Sequence, residues 1–173
     1  MGEPNEQTSR FTGDPHAGEG EHLSSRSPRQ RAMAAFARAP AGFLEEVWKG
    51  IHDAPDIRAV RGPEIGLVML RGRTGGGGAP FNLGEASVTR ASVGLERSGV
   101  STIGHAMVLG RDTGKARHAA AFDALWQIEA ERSWIEAEII APIEALLAAD
   151  DAKRAEETEA TRVDFFTMVR GDN

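Results

Sequence analysis

The stretch RGRTGGGGAPFNLGEASVTR, residues 71–90, gathers the residue types that bind anions. Arg71 and Arg73 lie two apart at the end of an apolar run, and in a strand of period two both side chains leave on the same side. Gly75 to Gly78 follow. Without a Cβ, glycines reach positive φ and let backbone N–H groups close on a phosphate, as anion nests require. Two features weigh against a phosphate loop. No Gly-Lys-Ser/Thr follows the glycines, so no Walker loop forms. The next element has strand periodicity, which removes the helix N-terminus that a dinucleotide fingerprint uses. A flexible join between strands is the reading that chemistry alone favours. Arg90 alternates with Thr89, Ala91 and Val93, so it faces away from the core those residues build. Arg71, Arg73, Gly75, Gly76, Arg90 and Arg111 are the anion-binding candidates.

The histidines add little chemistry. His105 shares a strand face with Ile103, Met107 and Leu109, the setting of a half-buried, hydrogen-bonded imidazole ahead of a catalytic base. His16 and His22 lie in the N-terminal segment, His52 follows a helix end where a cation suits the dipole, and His118 has no partner at metal spacing. There is no cysteine, so thiolate metal sites and iron–sulfur ligation cannot be built from this chain. No metal site and no cofactor is assigned to it. No Ser-His-Asp set, HExxH or carboxylate pair emerges, so catalytic residues stay unassigned. The acids of the helical regions read as solubilising.

The elements that position these residues follow from periodicity. Ser27 is an N-cap and Pro28 suits the first helical position. Met33, Phe36 and Ala37 then fall at helical spacing, and after Pro40 and Gly42 a second helix carries Phe43, Leu44, Val47, Trp48 and Ile51 on one face. Four strands are expected next. DIRAVRGPEIG ends at Gly62-Pro63; GLVMLRGR is apolar on both faces from Leu67 to Leu70. EASVTRASVGLE places Thr89, Ala91, Val93 and Leu95 on one face. GVSTIGHAMVLG follows a hairpin turn at Ser98-Gly99. After Gly110-Arg111-Asp112 the period turns helical, with Ala121, Phe122, Leu125, Trp126 and Glu129 in a stripe. Trp134 to Leu147 continues it, Pro142 marking a break or a new first turn. The fold class is α+β: an antiparallel sheet of about four strands flanked by N-terminal and C-terminal helices.

Length and composition bound the rest. The 173 residues suit one domain with a single core. A net charge of −6 argues against generic nucleic-acid binding. The charge is uneven. From Arg58 to Arg117 nine bases face four acids, whereas from Asp123 onward thirteen acids face five bases. Either the acidic helices are simply solvated, or the basic sheet meets an anionic ligand or an acidic partner surface. Residues 1–27, rich in Gly, Pro, Ser and charge, read as a disordered tail, and 28–173 as a single domain. No apolar run marks a signal peptide or a membrane span, so the default location is the cytoplasm. The final TRVDFFTMVRGDN packs Val163, Phe165, Phe166, Met168 and Val169 into seven residues. Such a segment docks, on its own core or on another chain, which makes 161–173 a candidate subunit interface.

GLVMLRGRTGGGGAPFNLGEASVTR, the later GHAMVLGRD and the terminal TRVDFFTMVRGDN together resemble the G subunit of the bacterial carbon–phosphorus lyase core complex, from about Arg29 to Asn173. Gly75, Gly76, Gly84, Thr89, Arg90, Gly110, Arg111, Asp112 and the Val163 to Asn173 segment stand where the family motif has them. Where relatives carry His-Ala-Glu after Gly-Arg-Asp, this chain has Lys115-Ala116-Arg117. The resemblance implies a cytoplasmic protein of phosphonate breakdown, assembled with the H, I and J subunits and served by ATP-binding K/L subunits. It implies a transferase complex that moves the ribose 5-triphosphate group of ATP, a substrate taken with Mg, to methylphosphonate and releases adenine. The iron–sulfur cluster and S-adenosylmethionine belong to the J subunit.

Within that expectation the chain is a structural, assembly-supporting subunit, since no convergent acid–base set is present. The alternatives are a direct contribution of Arg71, Arg73, Arg90 or Arg111 to a triphosphate site, or an independent phosphate-binding enzyme.

Overall fold

Ser27 opens the first helix, α1 (Pro28–Arg38). Its hydroxyl accepts from the Gln30 N–H at 3.3 Å while the Ser27 N–H donates to the Gln30 side chain at 2.9 Å, a reciprocal capping box. α2 (Phe43–Gly50) buries Leu44 and lays Phe43, Val47 and Trp48 against the core. The computed structural model describes residues 27–74 and 78–161. Of the tail expected over 1–27 only Ser27 is described, and of the docking segment expected over 161–173 only Thr161. Val163, Phe165, Phe166, Met168 and Val169 lie outside the described residues.

Three antiparallel strands follow, in sheet order β1 (Arg58–Arg73), β2 (Pro80–Arg97), β3 (Val100–Leu109). The expected third and fourth strands are β2 and β3. The expected first and second merge into β1, which runs straight through Gly62-Pro63. The ladder absorbs this pair in a register shift between Arg61 and Glu64. A proline is tolerable there because β1 is an edge strand and its missing N–H interrupts no ladder on the far side. Gly62 sits at φ 68°. A Cβ on it would come within 2.7 Å of the Glu64 backbone nitrogen, so glycine is required at that bulge. Ser98 and Gly99, at φ 53° and 76°, make the tight turn expected between β2 and β3.

Asp112 accepts from the Lys115 N–H at 2.8 Å and so caps α3 (Thr113–Trp126). This helix is the centre of the molecule: from Ala119 to Trp126 every residue is buried. Its alanines let the backbone lie close on the sheet. A Cβ on Gly104 would sit 1.9 Å from the Ala120 carbonyl oxygen. Phe36 of α1 and Trp48 of α2 pack on Phe122 with ring centroids 6.0 and 5.3 Å away. α3 stops at Trp126, so Glu129 leaves the expected stripe and opens α4 (Glu129–Ile135) in the exposed first turn. A π-helical turn over Glu136–Ile140 passes directly into α5 (Ala141–Ala160), with Pro142 in its first turn, as a new helical start requires.

The helices cover only part of the sheet. Val88 to Leu95 of β2 are largely buried, whereas Pro80 to Glu85 of the same strand are exposed. On β1, Leu67 and Met69, opposite Ser87 and Glu85, stay 63% and 51% exposed. The molecule has a packed half and a bare half.

Candidate functional site

The ladder fixes where the candidate arginines stand. Arg71 lies opposite Asn82, and Arg90 lies opposite Glu64, eight residues further along β2. At about 3.4 Å per residue the two are roughly 27 Å apart. Arg111 follows Gly110, whose N–H donates to the Ser87 carbonyl at 2.8 Å and whose carbonyl accepts from Thr89 Oγ1 at 2.8 Å. It therefore stands between the others, about 10 Å along the strand from Arg90 and about 17 Å from the Asn82 level. Arg73, opposite Pro80, is near Arg71. Gly75 and Gly76 lie outside the described residues. Arg71 and Arg73 are brought together at the bare end of β1, and Arg90 and Arg111 are not brought to them.

Arg90 is already engaged. Its Nε donates to Glu64 Oε1 at 2.7 Å, and Arg61 Nε reaches the same oxygen at 2.9 Å. Two guanidinium groups on one carboxylate leave a net positive charge. Beside them the Ser92 hydroxyl and His105 Nδ1 share a 2.9 Å hydrogen bond. Met33 and Met107 complete a cavity of about 240 Å³ over these groups. His105 was expected half-buried; its hydrogen bond is present, but the side chain is exposed, because the β3 face it shares with Ile103, Met107 and Leu109 points away from the helices. No described acid orients that imidazole, so the pair lacks the third member of a nucleophile–base–orienter set. The cavity can hold a polar or anionic group. Among the described residues no group of His, Asp and Glu is spaced for a metal ion.

Gly110-Arg111-Asp112 serves as strand end and helix cap. Behind it, burial lowers the Lys115 ammonium from its ordinary range, with Asp112 pulling the other way. His118 faces Trp48 at 6.1 Å, and burial lowers its imidazole as well.

The acids of the helices do more than solubilise. Asp123 is fully buried and takes both Arg29 Nε and Nη2, at 2.9 and 2.8 Å, plus the His105 backbone N–H at 2.8 Å. Glu131 holds Arg97 at 2.9 Å, and Glu136 accepts from Trp126 Nε1 at 2.9 Å. A buried carboxylate is tolerable only with such donors. The signal was an acid inside the apolar run AAFDALW, where solvation cannot be the explanation.

The sequence matches the protein family described as phosphonate metabolism protein PhnG over residues 27–171. The chain belongs to the PhnG family. The match begins at the Ser27 cap and includes every element described above. The chain is also 52% identical, over 145 residues, to the alpha-D-ribose 1-methylphosphonate 5-triphosphate synthase subunit PhnG of Rhizobium meliloti (strain 1021). That alignment covers 84% of this chain and 90% of the relative. The resemblance read from the glycine-rich stretch, GHAMVLGRD and the terminal segment is thereby borne out. No helix among the described residues is long and apolar enough to cross a membrane.

Proposed function

We propose that this chain is the G-type subunit of an alpha-D-ribose 1-methylphosphonate 5-triphosphate synthase, working in the cytoplasm in phosphonate catabolism. In this reading it assembles with H, I and J subunits and ATP-binding K/L subunits. The assembly transfers the ribose 5-triphosphate group of ATP to methylphosphonate and releases adenine. The observation that carries the reading is the near-full-length identity to a relative bearing that name. The chain's own part is assembly. What supports this is the absence of an oriented acid–base set among the described residues and the exposed apolar surface of β1 and β2.

Displacement at an anomeric carbon needs the triphosphate held and the leaving base expelled, and a subunit can serve that reaction by fixing the geometry of its neighbours. The test is reconstitution. Purified H, I, J and K/L subunits, given ATP, Mg and methylphosphonate, are expected to release adenine only when this chain is added, and the chain alone to release none. Full turnover without it would contradict the proposal. Arg90→Ala separates an assembly role from direct anion binding: a complex that forms intact but has lost turnover would assign Arg90 to the ligand.

A further inference from the structure

The two edges of the sheet are treated differently. On β3 two outward backbone groups in the middle of the strand are covered from α3: the His105 N–H donates to Asp123, and the Ile103 carbonyl accepts from Gln127 Nε2 at 2.9 Å. On β1 nothing comparable exists among the described residues. Its sixteen residues pair with β2 on one side only, and the nearest cover is a 3.5 Å contact from Arg117 to the carbonyl of Ile57, before the strand begins. Pro63 and the bulge blunt the start of this edge, but from Glu64 to Leu70 the ladder is regular and the edge apolar, the form that invites strand addition. Val60, Ile65, Leu67 and Met69 are all about half exposed or more along it.

We propose, building on the subunit reading above, that the free edge of β1 takes an extended, acidic-apolar strand from a different chain of the complex, continuing the sheet. Charge selects the occupant. β1 carries Arg58, Arg61, Arg71 and Arg73 against the single acid Glu64. A second copy paired antiparallel in full overlap places Arg58 opposite Arg73, and a register one residue off places Arg61 opposite Arg71. Like charges directly opposite are unfavourable, so the edge discourages its own kind. A strand with alternate apolar side chains and acids near both ends meets Leu67 and Met69 in the middle and the arginines at the flanks. The arginines at the bare end thereby gain an assembly role without a bound phosphate.

The test uses the full chain, free and in the assembled complex. Strand addition is expected to slow exchange of alternate backbone amides between Ile65 and Leu70 by about tenfold or more on assembly. Leu67→Lys is expected to lower incorporation about tenfold while Leu67→Ile keeps it, because a lysine would have to be buried in the new contact. The chain has no cysteine, so a photoreactive maleimide on Leu67→Cys reports its neighbour alone. Capture of an acidic strand of another subunit supports the proposal. Capture of a second copy, capture of residues 162–173, or unchanged exchange in a complex that has formed each overturns it. Failure of the unaltered chain to enter the complex removes the subunit reading as well, and is distinguishable because no complex is then seen.

Discussion

The packed half and the bare half of this molecule are built from the same strands. β2 runs from exposed Pro80–Glu85 into buried Val88–Leu95 without a break. In the packed half, α3 lies so close that Gly104 has no room for a methyl group, and Asp123 is enclosed by Arg29 and the β3 backbone. In the other half, equally apolar side chains such as Leu67, Leu83 and Phe81 stay about half exposed or more. Burying such a half-exposed side chain would contribute roughly 1 kcal/mol each. The difference teaches that the apolar content of the sheet was shaped by two sets of contacts. One set is inside this chain, and in the proposed subunit role the other is with neighbours.

Substitutions can break or sharpen that contrast. Asp123→Ala is expected to cost most, about 2–4 kcal/mol in urea unfolding, because it leaves the His105 N–H without an acceptor, removes the charged partner of the partly exposed Arg29 and opens a gap in the core. Gly104→Ala should follow at about 1–3 kcal/mol, since the helix has to lift from the sheet. Ser27→Ala removes half of the capping box and should cost about 1 kcal/mol. By contrast Leu67→Lys and Leu83→Lys should change the free chain's stability by less than about 0.5 kcal/mol, although both replace large apolar residues. A loss as large as that of Asp123→Ala would erase the distinction between the halves.

The smallest effect concerns His118. Its folded-state imidazole titrates below the ordinary value of 6.5, so the unfolded chain binds the proton more readily. Stability is therefore fully present above pH 6.5 and declines as pH falls through and below it. His118→Gln should flatten this slope, and an unchanged slope would assign the pH dependence elsewhere.

Much of this was legible in the sequence. Ser27-Pro28 announced α1, Ser98-Gly99 announced the hairpin, and the alternation of Thr89, Ala91, Val93 and Leu95 named the covered face of β2. Period two tells which residues share a face, but not who covers it. Ile103, Met107 and Leu109 look like core by pattern and lie on the open face, taking His105 with them. Gly62-Pro63 looked like a strand end because a bulge that re-registers the ladder is a tertiary event. The spread of the arginines was hidden for a similar reason: Arg71 and Arg90 are close in sequence, but an antiparallel turn places them at opposite ends of a ladder.

The most direct test of the central claim is native mass spectrometry of this chain co-expressed with the other synthase subunits. The chain is expected to be recovered within one hetero-oligomer, with no free monomer persisting when partners are in excess. Recovery of the chain as a stable free monomer, beside a synthase that assembles and turns over without it, would contradict the account.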